Sequence, residues 1–596
     1  MTINRRQLFA AAPPLLFLLA KGGGVMAAGS SMPTNYFGLL ATQEDWSSLD
    51  NRRKADPDLD RLTTTLLDRA RRDVNLPMLE RKLEGLRLLG VSREFIRRSL
   101  QWAFAYRVTG ESIYLNRVRQ EMLNISSFSD WHPEHYLDVA EMTTGLAISY
   151  SWLFNDLTAE DRSMVRRAIV DKGIGQAQHG HSTFKSKNNW NQVCSGGMAL
   201  GALAVQDDQP SLAADLLSAA KRSVHIGLDA YCPDGIYPEG PGYWDYGTSY
   251  SVLLIAALRT AKEADWGILE APGFKRSAEF YAHAIGPSGK AFNFSDGGEG
   301  PGFPCAIVYL ARELEQPALL ASMRQMIRAK PGISDRFSPL SALWWPIETA
   351  GKLSSTAFSG QGDQPVAIWR SSWSDTNALW FAIKAGGAAH NHAHMDAGSF
   401  VLDLDGVRWA KDLGMQDYNS LESRGIDLWN MKQNSTRWQV FRLSAQAHNT
   451  LTLNGQPHNA TGMASLQMVD EWEALIDLTP AMIPGTVRQA TRRVRFMDDA
   501  MLIRDEILGA QAETSIRWAM NTEAEAHIDG NLVSLTQKGK RLAIQFDGIG
   551  MQLDVLDISA PRRGYDVPNP NVRQLTVTGK PTADGSWRLT TRFFRG

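Results

Sequence analysis

The apolar periodicity of this 596-residue chain changes once, near Trp344-Trp345-Pro346, and that change limits the fold more than any other feature. From about residue 57 to 345, apolar residues recur every three or four positions. Val139, Met142, Leu146, Tyr150 and Leu153 would share one helical face. Leu157-Thr158-Ala159-Glu160-Asp161 reads as the next helix start, with Thr158 as cap and acids in the first turn, and Met164, Val165, Ala168 and Ile169 on one face after it. Residues 198–205, 212–228 and 251–264 continue the theme with short Gly or Pro breaks. Residues 351–364 form a Gly/Ser-rich linker candidate. Beyond them the pattern alternates: Val366-Ala367-Ile368-Trp369, Leu379-Trp380-Phe381-Ala382-Ile383, Ser399-Phe400-Val401-Leu402, Thr450-Leu451-Thr452-Leu453 and Met501-Leu502-Ile503-Arg504, separated by turn residues such as Asn454-Gly455. The expectation is an α+β multidomain chain: an (α/α) toroid or helical array over 29–350, then a large antiparallel β region over 351–596 that divides near 480 to 500.

The N-terminus reads as a twin-arginine signal peptide over residues 1–28. Arg5-Arg6 precede an apolar run over residues 8–20, and Ala27 and Ala28 offer a cleavage site. The run is shorter than the roughly 20 residues a membrane span needs. The mature protein is therefore expected to be periplasmic or secreted, with no membrane partner. Cleavage removes Arg5, Arg6 and Lys21 and no acid, so the net charge moves from −2 to −5. That argues against a general nucleic-acid binder and requires any site for a polyanion to be locally positive. Three cysteines, Cys194, Cys232 and Cys305, make no disulfide framework. The 18 tryptophans and 14 tyrosines suit sugar stacking, and large helical cores use them equally.

Three segments carry candidate chemistry. His390, His392 and His394 lie two residues apart, and on a β-strand they would share one face. His448 lies further on, and Asp396, Asp403, Asp405 and Asp412 are carboxylates nearby in sequence. Two imidazoles and a carboxylate from His394, Asp412 and His448 are a common zinc set; the alternative is a hydrogen-bonded polar network between strands. The second segment is Lys187-Asn188-Asn189-Trp190-Asn191-Gln192, whose asparagines either cap a helix or bind a carboxylate with neutral donors. The third runs from Asp234 to Thr248, a Gly/Pro-rich loop loaded with tyrosines and acids. A phenol there could exchange a proton with substrate, whereas Tyr237 reads as a packed anchor.

Together, the Asn-Asn-Trp-Asn segment, the Asp-Gly…Glu-Gly…Tyr loop, the His-x-His-x-Asp-Ala-Gly-Ser-Phe run and the later His-Asn-Thr-Leu resemble the heparinase II/III-like polysaccharide lyases. The resemblance implies an incomplete (α/α) toroid followed by an antiparallel β-sandwich, and β-elimination next to a uronic acid in an acidic polysaccharide. It implies Asn189 as neutraliser of the uronate carboxylate, Tyr243 as Brønsted acid and a base candidate, His392 as the other base or neutraliser, and Tyr246 in reserve for Tyr243. Trp190, Glu239, Arg370 and Arg437 are the substrate-binding candidates; each arginine has a structural ion pair as its alternative. Zn2+ would bind His394, Asp412 and His448 in a structural role, leaving His390 without one. Two positions depart from the family. Several relatives carry a histidine where this chain has Trp190, and an aspartate is frequent where it has Ser151. Two rivals remain: a glycoside hydrolase on an α/α toroid using carboxylates among Asp234, Glu239 and Asp245, and a non-catalytic polysaccharide-binding protein.

Overall fold

The computed structural model describes residues 38–596 apart from 178–179, 330–334, 348–350, 352, 354 and 498. The signal-peptide expectation over 1–28 and part of the linker expectation lie outside the described residues. Among the described residues, α-helices run from Gln43–Ser47 to Ser338–Trp344, and strands from Ala357–Gly360 to Trp587–Arg595, with one short helix, Tyr418–Glu422, in the strand region. No described helix is long and apolar enough to cross a membrane.

The helical part is an incomplete (α/α) toroid with two rows. Leu89–Thr109 packs on Tyr136–Leu153, that helix on Asn189–Val205, and that one on Gly240–Thr260. Ser112–Ser127, Ala159–Ala168 and Pro210–Leu228 cover these from outside. Burial follows the row. Every residue of Tyr136–Leu153 is buried, as in a helix surrounded by others. The outer Ala159–Ala168 buries only Asp161, Val165 and Ala168. Glycines let the inner helices approach closely. A Cβ on Gly197 would stand 2.7 Å from the Ala140 carbonyl oxygen, and one on Gly201 would stand 2.6 Å from Thr143 Cγ2. The inner row matters for function, because Asn189 and Tyr243 sit in the first turns of two of its helices.

Thr158 caps its helix as read from sequence, accepting from the Asp161 N–H, while Asp161 accepts from the Thr158 N–H. Thr158→Ala should therefore destabilise the protein by about 1 kcal/mol. Denaturant unfolding checks this, and an unchanged midpoint would show that the cap contributes nothing.

Three antiparallel sheets follow. The first has five strands in sequence order, from Ala357–Gly360 to Val407–Ala410. Its three central strands are buried on both faces, and alternation explains why. Val366, Ile368, Trp380, Ala382 and Val401 join the core of the helical part. Ala367, Trp369, Phe381, Ile383, Phe400 and Leu402 join the core of the other sheets. This sheet is the middle layer between toroid and sandwich. The second sheet has eight strands and the third four. No division falls near 480 to 500: Glu473–Asp477 pairs with Gln489–Phe496 inside the eight-stranded sheet. The turn-rich residues between these two strands are a connection within one sheet, which composition alone cannot distinguish from a boundary.

Arg370 is not at a substrate surface. It ends the second strand, is buried, and donates from Nη2 to the carbonyls of His283 and Ile285 at 3.1 and 2.7 Å. Its guanidinium lies 3.5 Å over the Trp373 ring. It therefore joins the middle sheet to the toroid. Ser151 is buried and accepts the Leu39 N–H.

Candidate active site and metal centre

A cleft of about 1050 Å3 opens where the toroid meets the β region, lined among others by Asn189, Trp190, Tyr243, Tyr246, Asn391, His392, Tyr418 and Trp429. The three asparagines near its floor have separate jobs. Asn188 caps the helix Asn189–Val205, accepting the Trp190 N–H. Asn191 points away from the cleft and donates to Phe184 and Ser223. Asn189 donates through Nδ2 to Glu239 Oε2 at 2.9 Å. The other oxygen of Glu239 accepts from Asn391 Nδ2 at 2.7 Å. One buried carboxyl thus orients two amides, one from each part of the chain. Burial raises its pKa despite the opposing His392 charge and the two amide hydrogen bonds.

Tyr243 and Tyr246 are not on a loop. The loop ends at Glu239, and the helix Gly240–Thr260 begins with Pro241 in its first turn. Gly240 has φ 84°, and a Cβ there would come 2.8 Å from the Phe294 carbonyl oxygen, so the tight entry favours glycine. The two tyrosines are one helical turn apart. Tyr237 is buried and donates to Gln192 Oε1, the packed anchor read from sequence.

The histidine run is not a strand. Residues 390–394 form a turn before the strand Phe400–Leu404, and His392 is left-handed with φ 59°. The turn separates the three imidazoles. His390 faces Asp363 and Met463. His392 and His394 converge on Asp296, a residue the sequence reading missed. His392 Nδ1 lies 2.7 Å from Asp296 Oδ2, and His394 Nε2 lies 2.8 Å from Oδ1. Tyr418, also missed, donates to Asp296 Oδ2 at 2.8 Å, and its oxygen stands 2.7 Å from the Tyr243 hydroxyl. The His392 ring stacks on Tyr243 at 4.1 Å and 22°.

Burial disfavours charge on Asp296, yet hydrogen bonds from both imidazoles, with the charge of Arg437, hold its carboxyl far below the usual range. Arg437 is therefore no substrate clamp either. It is fully buried and donates to the carbonyls of Leu428 and Ala393, bracing the histidine turn from beneath, with Nη2 3.7 Å from Asp296. Burial, then the Asp296 charge, raises the Tyr243 phenol above its ordinary value. Tyr246 lines the cleft outside this network, its ring under Arg93 and Arg336. Trp190 lines it too, edge-on to His135 at 5.1 Å.

Beneath the turn, one ligand atom each from His394, Asp412 and His448 falls within 4.8 Å of the others, and all three residues are buried. His394 Nδ1 and His448 Nε2 are buried without a hydrogen-bond partner. Two orphaned imidazole nitrogens beside a carboxylate fit a metal ion, since buried polar atoms otherwise find partners. Burial lowers the His394 pKa, favouring the neutral ligand form, and Asp296 holds its other nitrogen as an outer carboxylate would.

Residues 366–588 match the family model described as Heparinase II/III-like, C-terminal. Over most of its length the chain has the fold of several solved lyases. A heparinase III structure aligns with TM-score 0.57 at 13% identity, covering 93% of this chain and 84% of that one. A heparan sulfate lyase from Pedobacter heparinus gives 0.55 at 16%, covering 85% and 77%. A chondroitin AC lyase from Streptomyces coelicolor, solved with chondroitin sulphate, gives 0.50 at 13%, covering 92% and 82%. No curated protein sequence matches the chain significantly.

Proposed function

We propose that this protein is a polysaccharide lyase that cleaves a uronate-containing polymer by β-elimination. The observation that carries the reading is the convergence of Tyr243, Tyr418, His392 and Asp296 on one hydrogen-bonded network beside Asn189.

The C5 hydrogen of a uronate is weakly acidic, so its removal needs a partner for the charge that builds on the carboxylate. Asn189 takes that part: Glu239 fixes its amide, leaving one N–H for the substrate carboxylate. Asp296 accepts the Nδ1–H of His392, which sets the tautomer with its lone pair on Nε2. His392 is then the base that removes the C5 proton. The electron pair forms the C4–C5 double bond, the C4–O4 bond breaks, and O4 takes the proton of Tyr243. A phenol held above its usual pKa stays protonated until that moment. After product leaves, solvent in the open cleft takes the Nε2 proton from the imidazolium and supplies one to the phenolate, restoring both groups, while Tyr418 stays hydrogen-bonded between Tyr243 and Asp296.

Zn2+ held by His394, Asp412 and His448 would have a structural role. When bound it would fix the histidine turn and so the position of His392. The twin-arginine pattern at Arg5 and Arg6 supports folding and metal loading before export to the periplasm.

The glycoside-hydrolase rival fits this geometry poorly. Both Glu239 oxygens are engaged by amides, and Asp245 lies off the cleft wall, where burial and then Asp335 push it up to about 7. Incubation with uronate polysaccharides should give products that absorb in the ultraviolet. Saturated reducing ends instead would establish hydrolysis. Glu239→Gln should lower kcat by about 10- to 100-fold, because glutamine keeps one acceptor oxygen for two amides, so Asn189 and Asn391 compete for a single anchor. A variant with wild-type kcat would show that Glu239 positions nothing.

A further inference from the structure

With Arg370 and Arg437 withdrawn into structural roles, the charged contact to substrate must come from elsewhere in the cleft. Arg93 lines it with a side chain 39% exposed. Its Nε donates to Oε1 of the fully buried Glu141 at 3.0 Å, so that ion pair does not use the η nitrogens. Glu141 is also shared with Arg336, whose Nε lies 3.3 Å from Oε2, and with the Tyr250 hydroxyl. The Arg93 guanidinium rests 4.7 Å over Tyr246, three residues beyond Tyr243, and so about one helical turn from the proposed acid. The other arginine on the wall is already occupied: Arg87 makes two hydrogen bonds to Glu422 at 3.1 and 3.2 Å. At the rim, Glu84 and Asp417 are exposed and form no salt bridge among the described residues.

Resting on the lyase reading above, we infer that Arg93 is the cleft's anion-reading residue and that the cleft takes an unsulfated polyuronate, whose only anions are carboxylates. A guanidinium offers two parallel N–H groups that match one carboxylate. One free fork serves one carboxylate beside the one that Asn189 meets. A heavily sulfated chain would bring several more anions per disaccharide to a wall whose other arginine among the described lining residues, Arg87, is held by Glu422, and to a rim carrying two acids, where like charges repel.

The test compares alginate and glucuronan with heparan sulfate and chondroitin sulfate, using the full mature chain. The wild type should cleave at least one unsulfated polymer with kcat/KM about 10-fold or more above either sulfated one. Arg93→Gln should raise KM for that polymer by about 10- to 100-fold with kcat less affected, the loss expected for a bidentate charged contact. Arg93→Lys keeps a charge beside Glu141, so it guards against misfolding, and it should still raise KM because the fork is gone. Carboxyl-reduced oligosaccharides should bind the wild type and both variants alike. Equal turnover of sulfated and unsulfated polymers, or an unchanged KM in both variants, overturns the inference. If no polymer gives an unsaturated product, the lyase reading fails. Calorimetric binding of alginate and glucuronan oligosaccharides then judges Arg93 by itself: weaker binding in both variants upholds its role, and equal binding ends it.

Discussion

Tyr243→Phe is expected to lower kcat on a cleaved uronate polymer by about 100- to 10,000-fold, the range typical of a lost proton donor. The substitution removes one oxygen and little else. The ring keeps its place in the helix Gly240–Thr260 and its stack on His392. Tyr418 keeps its bond to Asp296, so no buried hydroxyl is orphaned. Stability should thus change by no more than about 1 kcal/mol, and KM by only a few-fold. Steady-state kinetics by ultraviolet absorbance, with a thermal melt as control, separates these effects. Near-normal turnover would move the acid role to Tyr246 or His392 and break the proton path proposed here.

His394→Ala should reduce bound zinc from about one ion per chain to near none and destabilise the fold by about 3–5 kcal/mol. Two losses combine. The proposed metal would lose a ligand whose Nδ1 has no hydrogen-bond partner. Asp296 also loses one of two imidazoles that offset its burial, leaving a buried carboxylate with less compensation. His390→Ala is the contrast, since that ring faces Asp363 and Met463 and should leave metal content unchanged. Metal analysis of the purified wild type comes first: a chain without zinc sinks the assignment.

Much of the fold was legible because each part repeats one period. The apolar spacing in Tyr136–Leu153 and the short apolar run rich in branched and aromatic residues at Val366–Arg370 are local signals, and both formed the element they imply. The site was legible only where composition is unusual. Asn189, Tyr243 and His392 stand in segments dense with polar or aromatic residues, and the structure brings all three to one cleft. Asp296, Tyr418 and Arg93 gave no such signal. Asp296 lies 96 residues from His392, and Tyr418 lies 175 from Tyr243. Each is a common residue in an ordinary turn or helix, and only tertiary packing gives it a role. The strand reading of the histidines failed for a related reason. A two-residue repeat is equally compatible with a turn, and the left-handed His392 settles the choice through contacts to Asp296 and Tyr243 that no local pattern encodes. The arginines failed in the opposite sense: Arg370 and Arg437 were noticed for charge, and charge was needed inside.

The Glu239 carboxyl holds Asn189 with one oxygen and Asn391 with the other. Asp296, from the toroid side, likewise receives His392, His394 and Tyr418 from the β side. Neither half of the molecule therefore owns a complete set of reacting groups. A fragment spanning only 366–588 would retain His394, Asp412, His448 and the proposed base His392 while lacking the proposed acid Tyr243, Asn189 and the Asp296 carboxylate. The activity proposed above would be a property of the seam, and substitutions that let the halves shift by an ångström should cost turnover well before they cost folding.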